Sequence, residues 1–430
     1  MARHALVRVG VVVAGALALV AISTEVRSAE DPRTALKFLE KLREKGLYDQ
    51  ALWFIDALRT DPELPAELKA VLDYHEGRTR IDEASHTEDV ARKRELLDQA
   101  RGRLEAFAAE QPHHPLAREG LVQVGRMLVF RGHLALLLAD DTQDAAHKTA
   151  LQADARTAFS QARDAFARAV EQLSKAHKSY SGFIPKGDPR LEERDKVYSA
   201  LLDAMLQQGV SVYELAQTFP AASAERTSHL SDALKQFDDL YKNYRTQMAG
   251  LTAQMWQAKC YEEQGKIGEA IGIYKELLLQ PDPRLRPLQR FVGYFYIVAI
   301  AKRNDHALAT DEAERWLETY NRREEQRSQE GLGVLLELAK NIDAQTSLST
   351  DKIDRQQAAR KIVDAASQVI RYGSPHKNEA LALLRKYKPS AAARAEEVVR
   401  MSYDDAVSEA EEAIASHDWE RAIGLLRAAT

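Results

Sequence analysis

Cys260 is the only cysteine of the chain and stands in MWQAKCYEEQGKIGEA, between Lys259 and a run of carboxylates. A thiol nucleophile needs a nearby base and an electropositive setting. Lys259 is adjacent in sequence, but on a helix it points about 100° away, so packing is the expected role of Cys260. His113 and His114 in EQPHHP, with His75 and His86 earlier, raise the question of zinc. Zinc sites require three or four ligands at constrained spacing, and no H-E-x-x-H or C-x-x-C pattern occurs. Asp140, Asp141 and Asp144 lack the glycine and the distal glutamate of a calcium loop, which leaves a solvated turn. Phosphate loops, nucleophile elbows and dinucleotide fingerprints are missing too. Two carboxylates chosen from 65 acidic residues, with no motif around them, carry no information about acid and base chemistry. No catalytic residue, metal or cofactor is expected, and the chain is read as not an enzyme.

The elements that hold these residues are more informative. Ala258, Tyr261, Gly265, Ala270 and Tyr274 follow one another at steps of 3, 4, 5 and 4. A helical turn takes three to four residues, so Ala258 and Tyr261 share a face of one helix, Ala270 and Tyr274 share a face of a second, and Gly265 is the turn. Small side chains let the two helices approach closely, and the aromatics fill the wedge beyond. The same steps fall on Leu39, Leu42, Gly46, Ala51 and Ile55. A third copy is offered by Ala410, Ala413, Ala422 and Leu426, with His417 at the turn. A fourth and weaker one has Ala301, Ala313 and Leu317, with Asn304 in the first-helix aromatic position. Trp53, Trp316 and Trp419 stand beside second-helix alanines, where packing is expected.

These residues resemble the tetratricopeptide-repeat (TPR) family, whose unit of about 34 residues is a helix pair with small residues at its eighth and twentieth positions. Counted from Leu251, those positions are Ala258 and Ala270. The match is good over 251–283, fair over 32–64 and degenerate elsewhere, with irregular spacing between units. The resemblance implies an all-α fold: a right-handed superhelical α-solenoid of antiparallel helix pairs. It also implies a concave groove lined by the second, fifth, ninth and twelfth positions. These are Thr252, Met255, Lys259 and Glu262, with Trp256 flanking, and then, counted from Tyr294, Phe295, Val298, Lys302 and Asp305. Apolar anchors mixed with cations suit an extended or helical peptide. The lysine and asparagine clamp of chaperone-binding members is not matched, because Leu36 and Glu40 occupy its positions in the first unit.

Residues 1–28 read as a signal peptide: Arg3 and Arg8, an apolar run from Val9 to Ile22, then Val26-Arg27-Ser28 before the cut. The run is shorter than the roughly 20 residues of a spanning helix, and no later segment is expected to cross a bilayer. Loss of Arg3, Arg8, Glu25 and Arg27 takes the formal net charge from −5 to −7, which gives little attraction for nucleic acid. Expected divisions are N-terminal repeats over 29–178, central repeats over 192–345 after the loop 179–191, and C-terminal repeats over 346–430, incomplete at the end. An uncapped last helix exposes Leu425 and Leu426, so further chain or a covering partner is expected there, and end-to-end self-association is a third option. Together these features point to an exported, periplasmic or secreted scaffold that binds a protein or peptide. The alternative is the superhelical, non-catalytic portion of a larger envelope enzyme, such as a cell-wall-cleaving transglycosylase.

Overall fold

The computed structural model describes residues 32–400, apart from 88, 181, 348–351 and 373–375. The expected signal peptide, Trp419, the repeat copy at Ala410 to Leu426 and the C-terminal end proposed for self-association lie outside the described residues. Among the described residues every regular element is helical and no strand occurs, as the sequence predicts. Contacts divide the chain into two compact units that meet between His229 and Leu230.

The first unit contains α1 (Pro32–Glu44), α2 (Tyr48–Thr60), α3 (Leu72–His86), α4 (Val90–Glu110), α5 (Pro115–Asp141), α6 (Ala145–Ser179) and α7 (Pro189–Gln217), each packed on the next. The loop at 179–191 therefore joins two helices of one unit. Several starts are set by capping side chains, which satisfy backbone N–H groups that a helix leaves unpaired. Asp89 caps α4, His114 caps α5 just before Pro115, Asp144 caps α6 and Asp188 caps α7 just before Pro189. The metal-like residues His114 and Asp144 thus act on the backbone.

Packing of α5 on α6 depends on two glycines. A Cβ on Gly125 would lie 2.6 Å from the Phe166 ring, and one on Gly132 would lie 2.5 Å from the Phe159 ring. Both rings are fully buried. With the two glycines seven positions apart and the two rings likewise, two rings of one helix enter two gaps in its antiparallel neighbour. Helix α5 also corrects an expectation: its stretch Pro115–Asp140 is long and apolar enough to cross a membrane by length and composition. Its inward face, including Leu121, Val124 and Leu128, is core. Arg126 pairs with Asp203 of α7, and Arg131 pairs with Asp98 and Asp154 of α4 and α6. Those ion pairs suit the core helix of a folded unit far better than hydrocarbon.

Helix α8 (Ala224–Tyr244) crosses the boundary between units. The second unit continues with α9 (Met248–Glu263), α10 (Ile267–Leu278), α11 (Arg286–Lys302), α12 (His306–Thr319), α13 (Gln329–Thr346), α14 (Lys352–Arg371), α15 (Lys377–Tyr387) and α16 (Pro389–Arg400). From α9 onward each helix packs on the next, and alternate helices also touch: α9 on α11, α11 on α13 and α13 on α15. That is how stacked helix pairs bury their faces on one another, here in two apolar clusters, one over α9 to α12 and one over α11 to α16. Ala258 and Ala270 are fully buried together in the first of these.

Three turns show what the repeat is made of. Gly46, Gly265 and Asn304 have φ of 71°, 77° and 59°. In each case the next residue donates its N–H to a carbonyl five residues back: Leu47 to Leu42 at 2.9 Å, Lys266 to Tyr261 at 2.9 Å and Asp305 to Ile300 at 3.4 Å. This is a helix end closed by one left-handed residue. Asn304 is therefore the turn of the fourth copy, not its aromatic site. The steps of 3, 4, 5 and 4 then fall on Ile297, Ile300, Asn304, Ala309 and Ala313, whose four side chains other than Asn304 are at most 2% exposed. The sequence alignment on Ala301, Ala313 and Leu317 is one helical turn out of register. Asn304→Val is expected to lose roughly 1–2 kcal/mol, the cost of a branched residue in the left-handed region, while Asn304→Gly is not. Thermal unfolding of both variants checks this.

Candidate functional site

The surface shared by α9 and α11 brings together four of the nine predicted groove residues. Glu262 is 3% exposed. Its carboxylate accepts hydrogen bonds from Lys302 Nζ at 2.7 Å, Lys259 Nζ at 3.1 Å and the Tyr274 hydroxyl at 3.0 Å. Lys259 also lies 4.9 Å from the centroid of the Phe295 ring, within reach of its π face. Glu263 stands 3.8 Å and 3.9 Å from the same two ammonium groups. Burial opposes the charge of Glu262, but Lys259 and Lys302 outweigh it and hold this carboxyl below its ordinary value. The groove lysines therefore already carry partners within the chain.

The other five take different places. Met255 is buried in the core and Val298 is half-buried. Thr252 donates its hydroxyl to Met248 O on its own helix. Trp256 stacks on Phe237 of α8, with centroids 6.1 Å apart and planes at 17°. Asp305 belongs to the backbone, because it caps α12 through Leu308 N.

With Asn304 aligned on Gly265, the groove positions of the second pair become Phe291, Tyr294, Val298 and Ala301. Sequence reasoning missed Phe291 and Tyr294 through the four-residue shift; the signal available was the asparagine, which tolerates a left-handed turn better than most residues. Phe291 is 41% exposed. Tyr294 lies 5.5 Å from the Phe295 ring and 6.3 Å from His376, and burial pushes its phenol up to about 12. A Cβ on Gly333 would come within 2.6 Å of the Tyr294 ring, so α11 and α13 approach closely there. Farther along, Lys340 of α13 bonds Glu337 at 2.8 Å and Glu379 of α15 at 3.1 Å. The first helices of successive pairs thus carry a strip of matched charges with aromatic rings between them.

The remaining chemistry-bearing residues do not converge. No group of three or more metal-ligating side chains occurs among the described residues. His86 pairs with the Tyr48 hydroxyl at 2.8 Å. Burial, with Arg43 and Arg78 nearby, pushes His75 down to about 4. Trp316 is core, and its Nε1–H donates to Arg290 O at 3.0 Å, but Trp53 is 46% exposed, contrary to its expected packing role. Cys260 is fully buried, and burial pushes its thiol up to about 12. It is expected to resist a thiol reagent such as dithionitrobenzoate in the native protein and to react once per chain in denaturant. Rapid native labelling would contradict that.

No protein-family model matches the chain, and no curated protein matches it. Solved structures that align with it include the human IFIT1 dimer with m7Gppp-AAAA, at 12% identity and a TM-score of 0.34, covering 91% of this chain and 81% of that one. Naa15/Naa10 bound to HypK-THB aligns at 14% identity and a TM-score of 0.30, over 95% and 62% of the two chains. The TPR domain of P58(IPK) aligns at 17% identity and a TM-score of 0.21, over 93% and 97%. Such scores are too low to carry a function across. The helical-repeat description rests on the turns and cores of this chain itself.

Proposed function

We propose that the chain is a non-catalytic helical-repeat scaffold, exported to the periplasm or secreted, that holds a protein or peptide along the strip formed by α9 and α11. A right-handed superhelical course of the helix pairs is part of this proposal. The observation that carries it is the arrangement over Glu262, where Lys259, Lys302 and Phe295 are fixed by packing before any partner arrives. Preorganised polar and aromatic groups reduce the ordering cost of binding. Lys302, 44% exposed, has three donors and, among the described residues, pairs with Glu262 and Glu263. A backbone carbonyl of an extended peptide suits the remaining donor, with its apolar side chains against Phe291, Phe295 and Val298.

The test replaces Thr252 and Val298 by aspartate in one variant, which alters the strip but spares Glu262 and its partners. Capture of an envelope protein by the parent chain and loss of that capture by the variant, at unchanged melting temperature, supports the proposal. Equal capture by both overturns the assigned surface. N-terminal sequencing of the chain recovered from cells tests export, since cleavage predicts a start at Ala29 and a retained Met1 contradicts it.

A further inference from the structure

The turn between α6 and α7 carries the most exposed large apolar side chain among the described residues, Phe183, at 91%. It sits in the tetrapeptide Phe183-Ile184-Pro185-Lys186, bracketed by Gly182 and Gly187 with φ of 96° and 95°. Only glycine adopts such angles readily. A Cβ on either glycine would meet nothing within 4 Å, so the tip stands clear of the helices behind it. Those helices, of 35 and 29 residues, are tied together beside the tip by His177 stacked on Tyr198 at 4.9 Å. Pro185 limits the freedom lost when the tip is fixed.

Charge around the tip runs against that of the whole chain. Residues 175–196 hold six basic and four acidic side chains, in a protein of net charge −5. Asp188 pairs with Arg190, Glu192 with Lys196, Asp195 with Arg194, and Glu193 lies 3.5 Å from the Tyr180 hydroxyl. Lys178 and Lys186 have no carboxylate within 4.0 Å among the described residues.

We propose that residues 182–186 form a membrane-docking tip that places Phe183 in an anionic lipid surface while Lys178 and Lys186 meet the headgroups. A protein pocket is the less favoured occupant, because four residues on a convex turn fall far below the roughly 20–30 a side of a stable protein interface. Lipid needs no matching shape. Burying one phenylalanine changes partitioning roughly tenfold to a hundredfold, and each lysine at an anionic surface adds about fivefold. The result is weak, reversible attachment.

The chain starting at Ala29 is used for the test, which removes the apolar run at 9–22 and leaves every described core residue, the first being Ala35. It is spun with vesicles of phosphatidylcholine alone or with one third phosphatidylglycerol. Preference for the anionic vesicles is expected, with at least about a tenfold loss in Phe183→Asp, and binding of Lys178→Gln/Lys186→Gln reduced to the level seen on neutral vesicles. Because Cys260 is buried, Pro185→Cys, which keeps Phe183 and both lysines, gives one accessible thiol for an environment-sensitive dye, whose emission should shift to the blue on anionic vesicles, while the same dye on Leu279→Cys, at a position 82% exposed, should not respond. Equal binding to both vesicle types, or unchanged binding of Phe183→Asp, overturns the proposal. So does Phe183-dependent capture of a protein without any vesicle binding, which would assign the tip to a protein pocket.

Discussion

Phe166→Ala is expected to destabilise the first unit by roughly 3–5 kcal/mol. The ring is fully buried and faces Gly125, which has no side chain that could relax into the space left behind. Cost of truncation rises with the cavity that remains, so this site lies toward the upper end of that range. The complementary change gives a sharper check. Replacing a helical glycine by a larger residue usually helps a helix by up to about 1 kcal/mol. At Gly125 the added Cβ would instead meet the Phe166 ring at 2.6 Å. Gly125→Val is therefore expected to destabilise by roughly 1–3 kcal/mol, whereas Gly102→Ala, on α4, meets nothing within 4 Å and should not. Urea unfolding measures all three, with the transition of each unit followed separately because two units need not unfold together.

Glu262→Ala is expected to cost the second unit a comparable amount, roughly 3–5 kcal/mol, because it strands the buried end of an ion pair. Lys259, with only 12% of its side chain exposed, keeps Glu263 at 3.8 Å but loses its closest acceptor. The Tyr274 hydroxyl, on a fully buried side chain, loses an acceptor in the same step. Lys302, at 44%, reaches water and contributes less. The pH dependence follows from the direction of the shift. Burial alone would raise this carboxyl, yet the two lysines lower it below the ordinary 4.5. A carboxylate more acidic in the folded state stabilises fully above its unfolded value, and that stability is lost as pH falls through the lower folded value. The parent should thus lose stability below about pH 4.5 more steeply than Glu262→Gln. Unfolding free energies measured from pH 7 to pH 3 test it, and parallel curves for the two chains would contradict it.

Much of the repeat was legible because its rule is local. Ala51, Ala258 and Ala270 stand at fixed distances from Gly46 and Gly265, and all three alanines are fully buried. Asn304 shows why the fourth copy slipped. A helix returns to the same face after about four residues, so Ala301, Ala313 and Leu317 satisfy the pattern almost as well as Ile297, Ala309 and Ala313, and only the left-handed turn decides. Packing between helices was less visible. Phe159 and Phe166, seven residues apart, fall on one face of a helix, but their partners Gly132 and Gly125 lie on another helix, and no local pattern links the two. The apolar length of α5 was hidden in sequence because Arg126 and Arg131 interrupt it, although both pair with aspartates in space. At the candidate site the positions of Lys259, Glu262 and Lys302 were legible, while their mutual neutralisation depended on two helices meeting.

A photoreactive amino acid placed at Val298, at Thr252 and at outward-facing Leu279, one at a time, tests most directly whether the α9 and α11 strip holds a protein. Crosslinks in intact cells to one and the same protein from Val298 and Thr252, with none from Leu279, is the result predicted. Adducts absent from both strip positions, or formed equally from Leu279, would contradict it.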